Sequence, residues 1–204
     1  RGACEVTAHR TAGQLRALRE LCALARTGLD VADVLAARGA EDSDVPRNYL
    51  LSLERWARGE ESGPKLAART RAMRAWSAAL RKSWDAVMDA TPKGQLWPPM
   101  PPVQSWCRAL HCLDDARDDP SRNPGHDTRH SKNAAANFAF VLMTFAGEPA
   151  EAAKARVAAM LDRHRKAVGE ERARAAADAR LRQAKADKVT AERALGTFPE
   201  KETT

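Results

Sequence analysis

Residues 137–163 read NFAFVLMTFAGEPAEAAKARVAAMLDR: an apolar run, a Gly-Glu-Pro break, then an alanine-rich amphipathic run. Two segments of helical period joined by so short a break can only fold back on each other as an antiparallel helical hairpin. Gly147 then serves as the turn and Pro149 as the restart, with Phe138 to Phe145 in the core. One such pair cannot cover its own apolar faces, so further helices must pack on it.

Composition agrees with helices throughout. Aromatics are 5% and charged residues 30% of the 204 residues. Alanine, leucine, arginine and glutamate dominate, which predicts an all-α chain. No stretch approaches the roughly 18 uncharged apolar residues of a membrane span. The formal net charge of +7 admits an acidic partner, whether RNA, an anionic membrane face or an acidic protein surface. The same balance is common in proteins of the mitochondrial matrix, so it does not choose among these partners. A chain that opens at Arg1 leads us to expect a processed N-terminus. Cys4, Cys22, Cys107 and Cys112 form no CxxC pair and are read as reduced thiols.

Period and punctuation give the order of elements. Thr11 to Arg26 carries Leu15, Leu18, Leu21 and Cys22 at helical spacing; Gly28 is read as an interruption, after which Leu29 to Arg38 resumes as the return arm of a first hairpin. Pro46 begins a helix that runs to Gly59. A long segment from Gly63 and Pro64 to Ala90 then places Leu66, Met73, Trp76, Leu80, Trp84, Val87 and Met88 on one side, the tryptophans being read as core. The five prolines of TPKGQLWPPMPP make residues 91–102 a stiff connector. Val103 to Arg117 is helical, and residues 118–132, dense in turn formers, are a loop. The chain from about Ala150 to Leu195 is one long helix whose second half, with Leu181, Val189 and Leu195 among many charges, is expected to extend from the core. Residues 1–168 thus read as a helical-repeat domain and 169–204 as a charged helix and tail.

Three segments end in similar wording, LCALARTG at Gly28, LERWARGE at Gly59 and VLMTFAGE at Gly147, each followed by a second amphipathic run. Together with VPRNYLLSLERWARGEESGPKLAARTRAM and the opening stretch, this resembles pentatricopeptide repeats, over about three quarters of the chain. The resemblance implies antiparallel hairpins stacked as a short, irregular solenoid of the pentatricopeptide or tetratricopeptide kind, ending in the long charged helix. It also implies single-stranded RNA as one partner class, since family members select bases through an Asn, Ser or Thr early in the first helix. The matching positions are Leu18, Tyr49 and Asn137, of which only Asn137 has that chemistry.

A protein-binding role is therefore the leading expectation. Within the family the chain is similar in size, charge and helical make-up to the repeat-type subunit on the F1 head of euglenozoan mitochondrial ATP synthase. That likeness implies a non-catalytic accessory subunit of a multi-subunit mitochondrial complex, located in the matrix and at most peripheral to the inner membrane, whose partners are protein subunits, with no cofactor and no small-molecule substrate. An RNA-binding or mitoribosomal repeat protein is the second expectation. A third comes from Cys107, Cys112, His126 and His130, whose order approaches a two-Cys, two-His zinc pattern. Against it, Cys107 and Cys112 lie in one helix, five residues apart, and so point well away from each other.

Catalytic constellations are thin. His9, His111 and His164 fall in separate helical contexts, and no GxxxxGK phosphate loop occurs. Asp114, Asp115, Asp118 and Asp119 form an acidic cluster that reads as a solvated helix end or a divalent-ion site. Arg69, Arg71, Arg74, Arg81 and Lys82 read as a solvated face able to meet RNA or an acidic protein.

Overall fold

The computed structural model describes residues 12–39, 44–95, 102–118 and 127–196, all helical or in tight turns. Six helices follow one another: α1 (Ala12–Ala37), α2 (Asp44–Arg58), α3 (Gly63–Ala90), α4 (Pro102–Asp118), α5 (Asp127–Ala146) and α6 (Ala150–Gly196). The chain is all-α and built from helical hairpins. It divides into two compact units, Arg1–Arg165 and Lys166–Thr204.

The turns of the first unit follow local chemistry. Gly59 and Gly147 adopt φ of +83° and +63°, the left-handed region that ends a helix at little cost for glycine. Ser62 precedes α3 in extended backbone, with Pro64 in the first turn, where a missing N–H costs nothing. The α2–α3 and α5–α6 breaks thus fall where Gly59 to Pro64 and Gly147 to Pro149 predict them. The loop expected over 118–132 is shorter than predicted, since α5 already begins at Asp127. Residues 119–126, and most of the proline connector, lie outside the described residues.

Gly28 departs from expectation. It ends nothing: α1 runs unbroken through it, so the predicted first hairpin inside residues 11–38 is a single helix whose partner is α2. A Cβ at Gly28 would stand 2.9 Å from Leu50 Cδ2 and 2.9 Å from Phe138 Cζ. Glycine therefore serves close approach, letting α2 and α5 press on the α1 backbone, although a helix-interior glycine costs about 1 kcal/mol against alanine. With Gly28 inside a helix, one of the three glycine-ended phrases no longer marks a repeat boundary.

α1 lies at the centre of this unit, packed on α2, α4 and α5, while α4 lies against α5 and α2 against α3. Leu24, Val31, Tyr49, Leu50, Phe138 and Leu142 belong to one dry core. Contact between α1 and α5 joins helices far apart in sequence, which a linear stack touching only its neighbours does not have. The apolar run of α5 is partly outward: Phe138, Val141 and Leu142 are fully buried, whereas Phe140 is 46% exposed. Early turns of α6 add Val157, Met160 and Leu161 to the core. They are tied to α1 by Arg163 and His164 on Asp30, the histidine at 2.8 Å, and by Arg165 on Glu20. Glu54, nearly buried, is held by Arg26 and Arg58 together.

In the second unit the helix carries no burial of its own. Every side chain from Gly169 to Ala194 is exposed, including Leu181 at 56% and Val189 at 46%.

Candidate interaction surface

The site is built where α3 meets α4. Asp114, on α4 and almost wholly buried, accepts a hydrogen bond from the Tyr49 hydroxyl of α2 at 3.1 Å and from Arg74 Nε of α3 at 2.9 Å. Arg117, one turn on, reaches Asp114 at 2.7 Å and donates to the Thr70 hydroxyl at 2.7 Å. A buried carboxylate is costly unless neutralised and fully hydrogen-bonded, and two guanidiniums and a phenol meet that condition. The network fixes α2, α3 and α4 in register. It also pushes the Tyr49 phenol well above its ordinary value, chiefly through burial and then through the Asp114 charge. The acidic cluster foreseen as a solvated end or ion site is thus, at Asp114, a buried structural pivot. Asp118 pairs with Arg117, Asp115 is exposed, and Asp119 lies outside the described residues.

Beyond this pivot the two helices leave a groove of about 560 Å³. Ser77 and Cys107 form its floor, Leu80 and Trp84 one wall, and Arg81 and Arg108 stand on its rim. The Ser77 hydroxyl lies 3.1 Å from His111 Nε2. Among the described residues no carboxylate holds the other imidazole nitrogen, so this pair lacks the third member that orients a catalytic histidine. Burial pushes the Cys107 thiol up, the neighbouring Ser77 hydroxyl only partly opposing it, which keeps it a protonated, weakly nucleophilic group.

α3 has 28 residues, against 15 in α2 and 17 in α4. At 1.5 Å per residue it runs roughly 42 Å, beyond the reach of either neighbour. Its buried face, Leu66, Thr70, Met73 and Ser77, recurs at alternating steps of four and three. The same steps continue through Leu80, Trp84 and Val87, yet no residue of α3 after Ser77 is buried, and Val87 is 48% exposed. Trp76 packs on the core as expected, whereas Trp84 does not. Arg81 and Arg108 make no ion pair or hydrogen bond with another described residue.

The residues singled out in the sequence are not brought together. Cys107 faces Ser77 of α3, while Cys112, whose thiol burial also pushes up, receives a hydrogen bond from Asn137 Nδ2 of α5 at 3.4 Å. Among the described residues no three or more His, Cys, Asp or Glu side chains converge as metal ligands. His126 lies outside the described residues, and His130 is half-buried on the first turn of α5. The base-reading positions fare no better. Leu18 and Tyr49 are in the core, and Asn137 is engaged between α4 and α5. Arg108, Gln104 and His111 were not anticipated as groove residues, because their meeting with α3 depends on a pairing made across the proline connector.

No helix among the described residues is long and apolar enough to cross a membrane. Comparison with protein-family models, with curated proteins and with solved structures finds no match to this chain.

Proposed function

We propose that the chain is a non-catalytic accessory subunit that binds other proteins within a multi-subunit mitochondrial complex, the F1 part of ATP synthase being the assembly to which its resemblance points. The observation that carries the protein-binding part is the uncovered end of α3. A seam that packs like a core over its first turns and then continues only half-covered, with a tryptophan in it, suits the docking of another polypeptide. The exposed Leu181 and Val189 of α6 support the same reading.

Affinity purification of the full chain from its native source, followed by mass spectrometry, tests the proposal. Stoichiometric recovery of ATP synthase F1 subunits, unaffected by nuclease and by moderate salt, is the expected result. Recovery with ribosomal RNA that is lost on nuclease treatment, with binding falling steeply as salt rises, overturns it in favour of RNA.

A further inference from the structure

We infer that the groove between α3 and α4, with the bare seam beyond it, takes an acidic amphipathic helix from a partner protein. The inference rests on the protein-binding reading above and names the chemistry of what docks.

The shape of the occupant follows from the seam. Positions alternating by four and three residues present the 3.5-residue repeat into which a second helix inserts its own side chains. Leu66, Thr70, Met73 and Ser77 use that repeat within the fold. Leu80, Trp84 and Val87 continue it without full cover: Leu80 and Trp84 are half-buried along the groove and Val87 is exposed. An extended strand has a two-residue period and an approach distance that do not match such a row.

The charge of the occupant follows from a pairing already present one heptad earlier. Arg74 flanks the seam beside Met73 and meets Asp114 of α4. Arg81 holds the equivalent flank beside Leu80, but α4 offers no acid there; it offers Arg108 on the opposite rim. Both guanidiniums line the groove and neither pairs with another described residue, while Asp85 is the acid among the lining residues, so the groove keeps a positive excess that an entering helix carrying Glu or Asp at its flanks offsets. A second copy of this chain, at net +7, is a poor source of that charge. A phosphate backbone is disfavoured by the apolar side chains of Leu80, Trp84 and Val87 along the seam, which offer a backbone of phosphates no donors.

The test uses the full chain and a labelled helix-prone peptide of about 14 residues, two heptads long, with Leu on its seam and Glu on both flanks. Controls are the same peptide with Lys for Glu, and a single-stranded oligouridylate. Fluorescence anisotropy is expected to give binding of the Glu peptide at least about tenfold tighter than the Lys peptide, with no displacement by the oligonucleotide. The double variant Arg81→Glu/Arg108→Glu is expected to reverse the preference, and Trp84→Ala to weaken both peptides. Circular dichroism melts check that each variant folds; Arg81→Ala/Arg108→Ala, which is expected to abolish the preference without reversing it, replaces the reversal should that variant melt early. No binding of the Glu peptide, equal affinity for both peptides, competition by the oligonucleotide, or an unchanged preference in the variants overturns the inference. Native partners retained by Arg81→Glu/Arg108→Glu would refute the groove while leaving the accessory-subunit reading standing; no protein partner for the unaltered chain would refute that reading itself.

Discussion

Two helix contacts in the same unit are made on opposite terms. Where α1 crosses α2 and α5, a glycine removes the last side chain between the backbones, and Leu50 and Phe138 close over it with no space left. Where α3 passes α4, contact is concentrated at one charged pivot, Asp114, after which the helices part around a groove edged by Arg81 and Arg108. The first contact is saturated and can only be damaged by change. The second is unfinished, and an unfinished contact between two well-formed helices is available to a third.

Substitutions rank along this contrast. Phe138→Ala empties the centre of the first contact and is expected to cost about 4 kcal/mol of unfolding free energy in urea titrations, the range for a fully buried aromatic. Asp114→Ala, which takes the buried acceptor from the Tyr49 hydroxyl and leaves Arg117 only Thr70 and Asp118, is expected to cost about 3 kcal/mol in the same assay. Gly28→Val is expected to cost about 3 kcal/mol by overpacking, and Gly28→Ala about 1 kcal/mol, because its gain in helix propensity offsets only part of the squeeze on Leu50 and Phe138. A loss as large for Ala as for Val would mean that Leu50 and Phe138 cannot yield at all.

Alkaline pH probes the pivot more gently. The folded Tyr49 phenol titrates above the unfolded one, so its contribution to stability is complete below about pH 10 and is lost as pH rises from there towards the folded value. Urea melts above pH 10 are expected to lose up to about 1.4 kcal/mol per pH unit from this group, a slope that Tyr49→Phe removes. Persistence of the full slope in Tyr49→Phe would assign it to other groups. Smallest of all, Trp84→Ala is expected to lower stability by less than about 1 kcal/mol, since it deletes an aromatic from a half-covered wall rather than from the core. A loss near that of Phe138→Ala would place Trp84 in the core after all.

The same contrast separates what was legible in the sequence from what was not. Gly59, Pro64, Gly147 and Pro149 announce their turns because a turn is a local event, and the helices they bound are found. Gly28 carries the same letter for a different reason: its meaning lies in Leu50 and Phe138, which no local window contains. The run from Leu66 to Val87 keeps one alternation of four and three, and its later positions are the more apolar, so its sequence alone cannot show that full burial stops at Ser77. That limit is set by the shorter reach of α2 and α4. Tyr49 and Asn137 illustrate the converse, since positions suited to reading a base by family position turn out to hold helices together. Arg81 is legible in the sequence as a basic residue; that no described residue pairs with it, while Asp114 pairs with Arg74, is decided by the fold.

Cys107 gives the groove a chemical clock. Its thiol lies on the floor between α3 and α4, largely buried and held protonated, so an alkylating reagent reaches it slowly and by way of the groove. Mass spectrometry that follows this thiol separately from Cys4, Cys22 and Cys112 thus counts how often the groove admits the reagent. A helix bound on Leu80 and Trp84 would slow the count without touching the sulfur.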